Sequence, residues 1–137
     1  MRSDTQSVCL PADHTEAFDF LANPENLPQW AVGFCRSIRR DADRWLVDTG
    51  HGEVSMRYVT DATLGVIDFH FSPAPEVEAV ARSRVVPNGV GAEYLFTQFQ
   101  APGMSDAVFE AQRATLADEL EVLRRFFRAR ASCPIGQ

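Results

Sequence analysis

Residues 53–71 read EVSMRYVTDATLGVIDFHF. Val54, Met56 and Tyr58 alternate with polar neighbours up to a turn at Asp61 to Leu64, and Ile67, Phe69 and Phe71 alternate beyond it. A period of two sends successive side chains to opposite faces of a strand, so the stretch predicts an antiparallel hairpin with one apolar face. Pairing symmetric about the turn sets Arg57 opposite Asp68 and Ser55 opposite His70, with Met56 and Tyr58 on the side of Ile67 and Phe69. Burying a Phe, Met or Ile is worth about 1.5–3 kcal/mol, whereas an unpaired buried charge costs several, so the apolar side is predicted to be the concave one.

The same alternation continues in both directions. Between Cys35 and Gln100 the breaks fall at Asp41 to Asp43, Gly50-His51, Asp61 to Leu64, Ser72 to Pro75, and Pro87 to Gly91, leaving six strands. Carrying the pairing through the later turns adds Phe71, Ala79, Ala81, Ser83, Val85, Leu95, Thr97 and Phe99 to the apolar side. Glu78, Arg82, Arg84, Gln98 and Gln100 fall on the other. Upstream, Ser3 to Leu10 reads as a first strand. Asp13 then caps a helix, with Glu16 three residues on and Ala17, Phe18 and Leu21 at helical spacing. That helix ends near Asn23 before Pro24, and Asn26 to Gln29 form a short second turn delivering Trp30 and Phe34 inward. Downstream, Ser105 caps a helix reaching about Arg130, with Phe109, Leu116, Leu120, Leu123 and Phe127 along one stripe.

A strand, two short helices, six strands and a long amphipathic helix make an α+β domain: a curved seven-stranded antiparallel sheet around the C-terminal helix, a helix-grip arrangement. At 137 residues the chain suits a single domain, residues 1–137, with 131–137 as a flexible tail. The expected pocket lies between helix and sheet, lined by Trp30, Phe34, Val54, Met56, Tyr58, Ile67, Phe69, Phe71, Leu95, Thr97 and Phe99. Phe109, Leu116 and Leu120 roof it. Its polar handles would be Tyr58, Ser83, Thr97, Gln112 and, toward the rim, Glu93. The small residues Ala79, Ala81 and Ser83 would leave room at its floor.

Charge and composition narrow the function. A net charge of −6 argues against nucleic acid, and the composition, 45% hydrophobic and 23% charged, holds no apolar run near the ~20 residues that span a bilayer. All 13 basic residues are Arg, which removes Schiff-base lysine chemistry. The N-terminus has no apolar signal segment, so the expected location is cytoplasmic. Cys9, Cys35 and Cys133 form no CxxC pattern and suit a reducing compartment. His14, His51 and His70 match no ligand spacing, so neither a metal nor any other cofactor is expected. Asn88-Gly89-Val90-Gly91 joins two strands and is a hairpin turn, not a phosphate loop. The Arg124, Arg125, Arg128 and Arg130 cluster offsets the dipole at the end of the long helix.

Four segments in order, LPADHTEAFDFLANPENLPQWAVGF (10–34), RWLVDTGHGEVSMRYV (44–59), GVIDFHF (65–71) and RVVPNGVGAEYLFTQFQAPGMSDAVFE (84–110), resemble the polyketide cyclase/dehydrase-like branch of the START-like, SRPBCC superfamily. The resemblance covers nearly the whole chain. It implies the helix-grip fold, and functions ranging from carriers of hydrophobic ligands to aromatase/cyclases, with no catalytic motif to transfer residue by residue. Binding of a small apolar or aromatic molecule is the leading expectation. The alternative is a cyclase, dehydratase or aromatase in which His70 and Asp68 face inward as a general-base pair. A third reading is a stress-related or homodimerising protein whose pocket is vestigial.

Overall fold

The computed structural model describes residues 1–131. Strand β1 (Ser3–Leu10) is followed by α1 (His14–Ala22), a 3-10 turn (Pro24–Asn26) and α2 (Leu27–Trp30). Six strands come next: β2 (Ser37–Asp41), β3 (Arg44–Asp48), β4 (Glu53–Asp61), β5 (Val66–Ala74), β6 (Val77–Asn88) and β7 (Gly91–Phe99). The last element is α3 (Asp106–Ala131). The expected tail from 131 begins with a residue still in α3, and 132–137 lie outside the described residues.

Local chemistry explains the boundaries. The Asp13 carboxylate accepts the Thr15 N–H at 3.0 Å and caps α1, and the Asn23 side chain does the same for the 3-10 turn through the Glu25 N–H. At α3 the Ser105 hydroxyl accepts the Val108 N–H at 3.2 Å while its carbonyl accepts that of Phe109. The strands form one antiparallel, curved sheet in the order β1-β7-β6-β5-β4-β3-β2. Each neighbour except β1 is also next in sequence, as short hairpin loops require.

Register departs from symmetric pairing at two hairpins. Between β4 and β5, Asp61 pairs with Val66, so Arg57 faces His70 and Val59 faces Asp68. The offset is two residues, which preserves the faces: Met56, Tyr58, Ile67, Phe69 and Phe71 share one side. Between β6 and β7 the loop is only Gly89-Val90, and Asn88 pairs with Gly91. A two-residue turn of this kind needs positive φ, which Gly89 supplies at 61°. The pairing is therefore one residue off the expected register, and every side chain of β7 changes face. Tyr94 and Phe96 point to the helix side, opposite Val85 and Ser83, while Leu95, Thr97 and Phe99 point away. Pro73, expected inside a break, lies in β5 where its register against β6 is interrupted between Phe71 and Ala74. Proline has no N–H to give to a ladder and is tolerated at such an irregularity.

The core fills the space between the concave face and α3. Phe69, Tyr94, Ile67 and Val47 from the sheet share one buried cluster with Leu120, Leu123 and Phe127 from the helix and with Leu21 and Trp30 from the short helices. No helix is long and apolar enough to cross a membrane among the described residues.

Candidate functional site

The concave face holds a continuous run of aromatic rings. Trp30 meets Tyr94 edge-on at 6.0 Å, Tyr94 meets Phe96 at 6.2 Å, Phe96 stacks on Phe69 at 5.5 Å, and Phe69 meets Tyr58 edge-on at 4.9 Å. Offset and edge-to-face geometries are the favoured ones for such pairs. Trp30, Phe69 and Tyr94 are buried, so the middle of the grip is packed. Toward β3 and β4 the packing loosens: Phe34, Trp45, Tyr58 and Phe71 are all half-buried above buried Met56. Phe34 lies 6.1 Å from Phe71, and the Arg40 guanidinium sits 5.7 Å from the Trp45 ring. Phe34 and Phe71 are in contact, Trp45 and Phe71 flank Met56 from the neighbouring strands, and Tyr58 follows Met56 on the same face; this half-buried end of the concave face is the aromatic mouth.

Polar groups inside the grip are few and mostly satisfied. Ser83 donates its hydroxyl to the Ile67 carbonyl at 2.6 Å and accepts the Tyr94 O–H at 3.0 Å. A hydroxyl so engaged closes a short buried chain instead of offering itself to a ligand. Burial pushes both phenols, Tyr58 and Tyr94, far above the ordinary tyrosine range, so both are neutral donors. Cys35 is likewise raised, to about 11, by burial and by the nearby Asp48 and Glu119 carboxylates. Ser83→Ala should cost about 1–3 kcal/mol because it strands the buried Tyr94 O–H, whereas Tyr94→Phe, which leaves Ser83 bonded to Ile67, should cost about 0.5–1.5. Urea unfolding of the two variants measures the difference.

Among the described residues the one buried acidic side chain is that of Glu119 on α3, only 6% exposed. Its Oε2 accepts the N–H groups of Gly33 and Phe34 at 3.1 and 3.0 Å. Burial raises its pKa to about 7, against the lowering effect of those two bonds. Sequence reading missed Glu119, although Leu116 and Leu123, three residues before and four after, place it on the buried stripe. A carboxylate at a stripe position is the signal that could have found it.

Of the residues expected to line the site, Trp30, Phe34, Met56, Tyr58, Phe69, Phe71, Ser83 and Leu116 face the interior. Five do not. Leu95, Thr97, Phe99 and the rim handle Glu93, which is bonded to Cys9 and Asn88, lie on the outer face, where the Thr97 and Thr5 hydroxyls are 2.7 Å apart, because of the one-residue change of register in β7. Gln112 is exposed: α3 at this level overlies the β1–β7 edge, and Gln98 reaches the Gln112 backbone carbonyl at 3.4 Å while the Gln112 side chain stays in water. Tyr94 and Phe96 take the places assigned to Leu95 and Thr97.

The inward general-base pair is also overturned in its geometry. Asp68 and His70 alternate with Ile67, Phe69 and Phe71 and so face away from α3. Asp68 is held by Arg82 at 2.7 Å across the outer face, and His70 Nδ1 lies 3.9 Å from Glu78. Two open grooves lie away from the aromatic mouth. One of about 340 Å³ sits by Cys9, Pro11, Asn88, Arg124 and Arg128, and one of about 510 Å³ on the outer face by Arg44, Glu53, Ser72 and Pro75.

A curved antiparallel sheet gripping a long C-terminal helix is a helix-grip fold, and solved structures match it over nearly the whole chain. The protein XoxI from Bacillus cereus superposes with a TM-score of 0.76 at 14% identity, over 93% of this chain and 96% of its own. The di-domain ARO/CYC BexL from the BE-7585A biosynthetic pathway gives 0.76 at 18% identity, over 98% of this chain. DynU16, a protein of the dynemicin biosynthetic locus, gives 0.70 at 16% identity, over 92%. This chain spans only 48% of BexL and 47% of DynU16. At these identities the likeness is one of fold. No family model matches the sequence, and no curated protein matches it.

Proposed function

We propose that the protein binds a small, flat apolar or aromatic molecule in the mouth formed by Phe34, Trp45, Tyr58 and Phe71. The observation that carries this reading is the half-burial of four large rings on the face that otherwise forms the core. Rings left part-solvated at the end of a packed interior gain free energy when a planar ligand covers them, at about 25 cal/mol per Å² of apolar area. The Tyr58 phenol, neutral and beside the mouth, is suited to donate one orienting hydrogen bond. Likeness in fold to an ARO/CYC protein is compatible with an aromatic ligand. Cyclase or dehydratase chemistry through His70 and Asp68 is not favoured, because those side chains stand on the other face of the sheet.

The test is thermal unfolding with 2-naphthol and N-phenyl-1-naphthylamine, together with Trp45 fluorescence. At roughly 100 times Kd a ligand specific for the folded state stabilises it by about 2.7 kcal/mol. Tyr58→Ala should weaken binding about tenfold, a change of about 1.4 kcal/mol, whereas His70→Ala and Asp68→Asn should leave it unchanged. No rise in midpoint with either compound, or binding that His70→Ala abolishes, would defeat the proposal.

A further inference from the structure

The segment 31–36 joins α2 to β2 and brings the Phe34 ring to 6.1 Å from Phe71 at the aromatic mouth. Within this segment the Phe34 and Cys35 N–H groups both donate to the Ala31 carbonyl, at 3.1 and 2.8 Å, and at its end the Arg36 N–H donates to the Asp48 carbonyl of β3 at 2.8 Å. Its centre is also tied to α3. The Gly33 and Phe34 N–H groups converge on Glu119 Oε2, and for Gly33 this is the sole hydrogen bond of its N–H among the described residues. The approach is close: a Cβ on Gly33 would lie 2.5 Å from the Thr115 methyl and 3.4 Å from Glu119 Oε2.

Resting on the binding site proposed above, we infer that residues 31–36 are a lid over the aromatic mouth, latched to α3 by Glu119 when its carboxyl is neutral and released when it ionises. A protonated carboxyl still accepts both N–H groups through its carbonyl oxygen, and it carries no charge into the interior. An ionised carboxylate in the same place lacks a cation, and lifting the lid gives it water. The groups that face it keep this balance simple. Cys35 on the lid and Tyr94 on β7 are held neutral by burial throughout the neutral range, and Asp118 beside it on α3 adds a like charge that further disfavours ionisation.

The sign of the pH effect follows. With a pKa of about 7 closed and the ordinary 4.5 when opened to water, the closed lid binds more protons between those values. Closure is therefore firmest in acid and weakens as pH rises through neutrality. For full hydration in the open state, the opening equilibrium increases up to about thirty-fold between about pH 5.5 and 8.5.

Two readouts separate the latch from the site beneath it. Hydrogen exchange at the Gly33 amide, corrected for its intrinsic pH dependence, reads opening with no ligand present. Protection should fall by up to about thirty-fold across that range in the natural sequence. It should stay high and flat in Glu119→Gln, and be low at all pH in Gly33→Ala, whose added methyl meets Thr115. Stopped-flow association of N-phenyl-1-naphthylamine, uncharged throughout this range, should accelerate in parallel for the natural sequence, and be pH-independent in both variants. A flat Gly33 profile, or one that Glu119→Gln shares with the natural sequence, overturns the latch whether or not the probe binds. Opening that changes with pH while association does not overturns its role as a lid. Failure of the probe to bind any form defeats the binding site, and the exchange profile still decides the latch.

Discussion

Phe69→Ala is expected to lower the unfolding free energy by about 3–5 kcal/mol, among the largest losses any single truncation in this protein should give. Phe69 is 2% exposed, stacks on Phe96 and receives the edge of Tyr58, so it bridges the closed core and the half-open mouth. Removing the ring withdraws apolar area from the core and leaves a void that rings fixed to rigid strands cannot collapse to fill. Guanidinium titration should show a lower midpoint at unchanged slope. The void opens beneath Tyr58, so the variant should also take up a bulkier aromatic probe than the natural sequence accepts. A loss under about 1 kcal/mol would mean that the concave face is far looser than its ring geometry indicates.

Gly65→Ala should be nearly as damaging, by at least about 2 kcal/mol, although it adds one methyl to a turn. Gly65 has φ 73°, and a Cβ there would stand 2.1 Å from the Val85 carbonyl oxygen. The Gly65 carbonyl in turn accepts the Val85 N–H at 2.8 Å, so the turn cannot retreat without breaking a bond to β6. Because Val85 faces the core beside Tyr94, displacement there reaches the interior. Hydrogen exchange should show the Val85 amide losing protection ahead of the rest of β6. An unchanged unfolding midpoint would show that the turn relaxes freely.

Both residues sit where a local pattern meets a nonlocal constraint, and that division runs through the whole protein. The alternation in 53–71 determined the hairpin and, by itself, which of its faces is buried: Met56, Tyr58, Ile67, Phe69 and Phe71 lie where a period of two puts them, despite a two-residue change in pairing. Caps at Asp13 and Ser105 likewise determined helix starts, because a cap is a contact between residues two or three apart. Pairing parity across Gly89-Val90 was not legible in the sequence. A two-residue and a three-residue closure both suit the run Pro87 to Gly91, and only the longer pairing with β1 and β6 chooses between them, placing Tyr94 and Phe96 inside and Leu95, Thr97 and Phe99 outside.

Glu119 marks the same boundary on α3. The helix and most of its buried stripe follow from spacing, but a carboxylate amid that stripe has meaning only once residues 33 and 34, more than 80 positions earlier, bring two N–H groups to it. Periodicity along one element determined the strands, the helices and the apolar face. Closure between elements distant in sequence decided which rings of β7 face α3 and what holds residues 33 and 34, because side-chain direction in a sheet is set by the partner strand's register and a buried charge by whatever backbone the fold delivers.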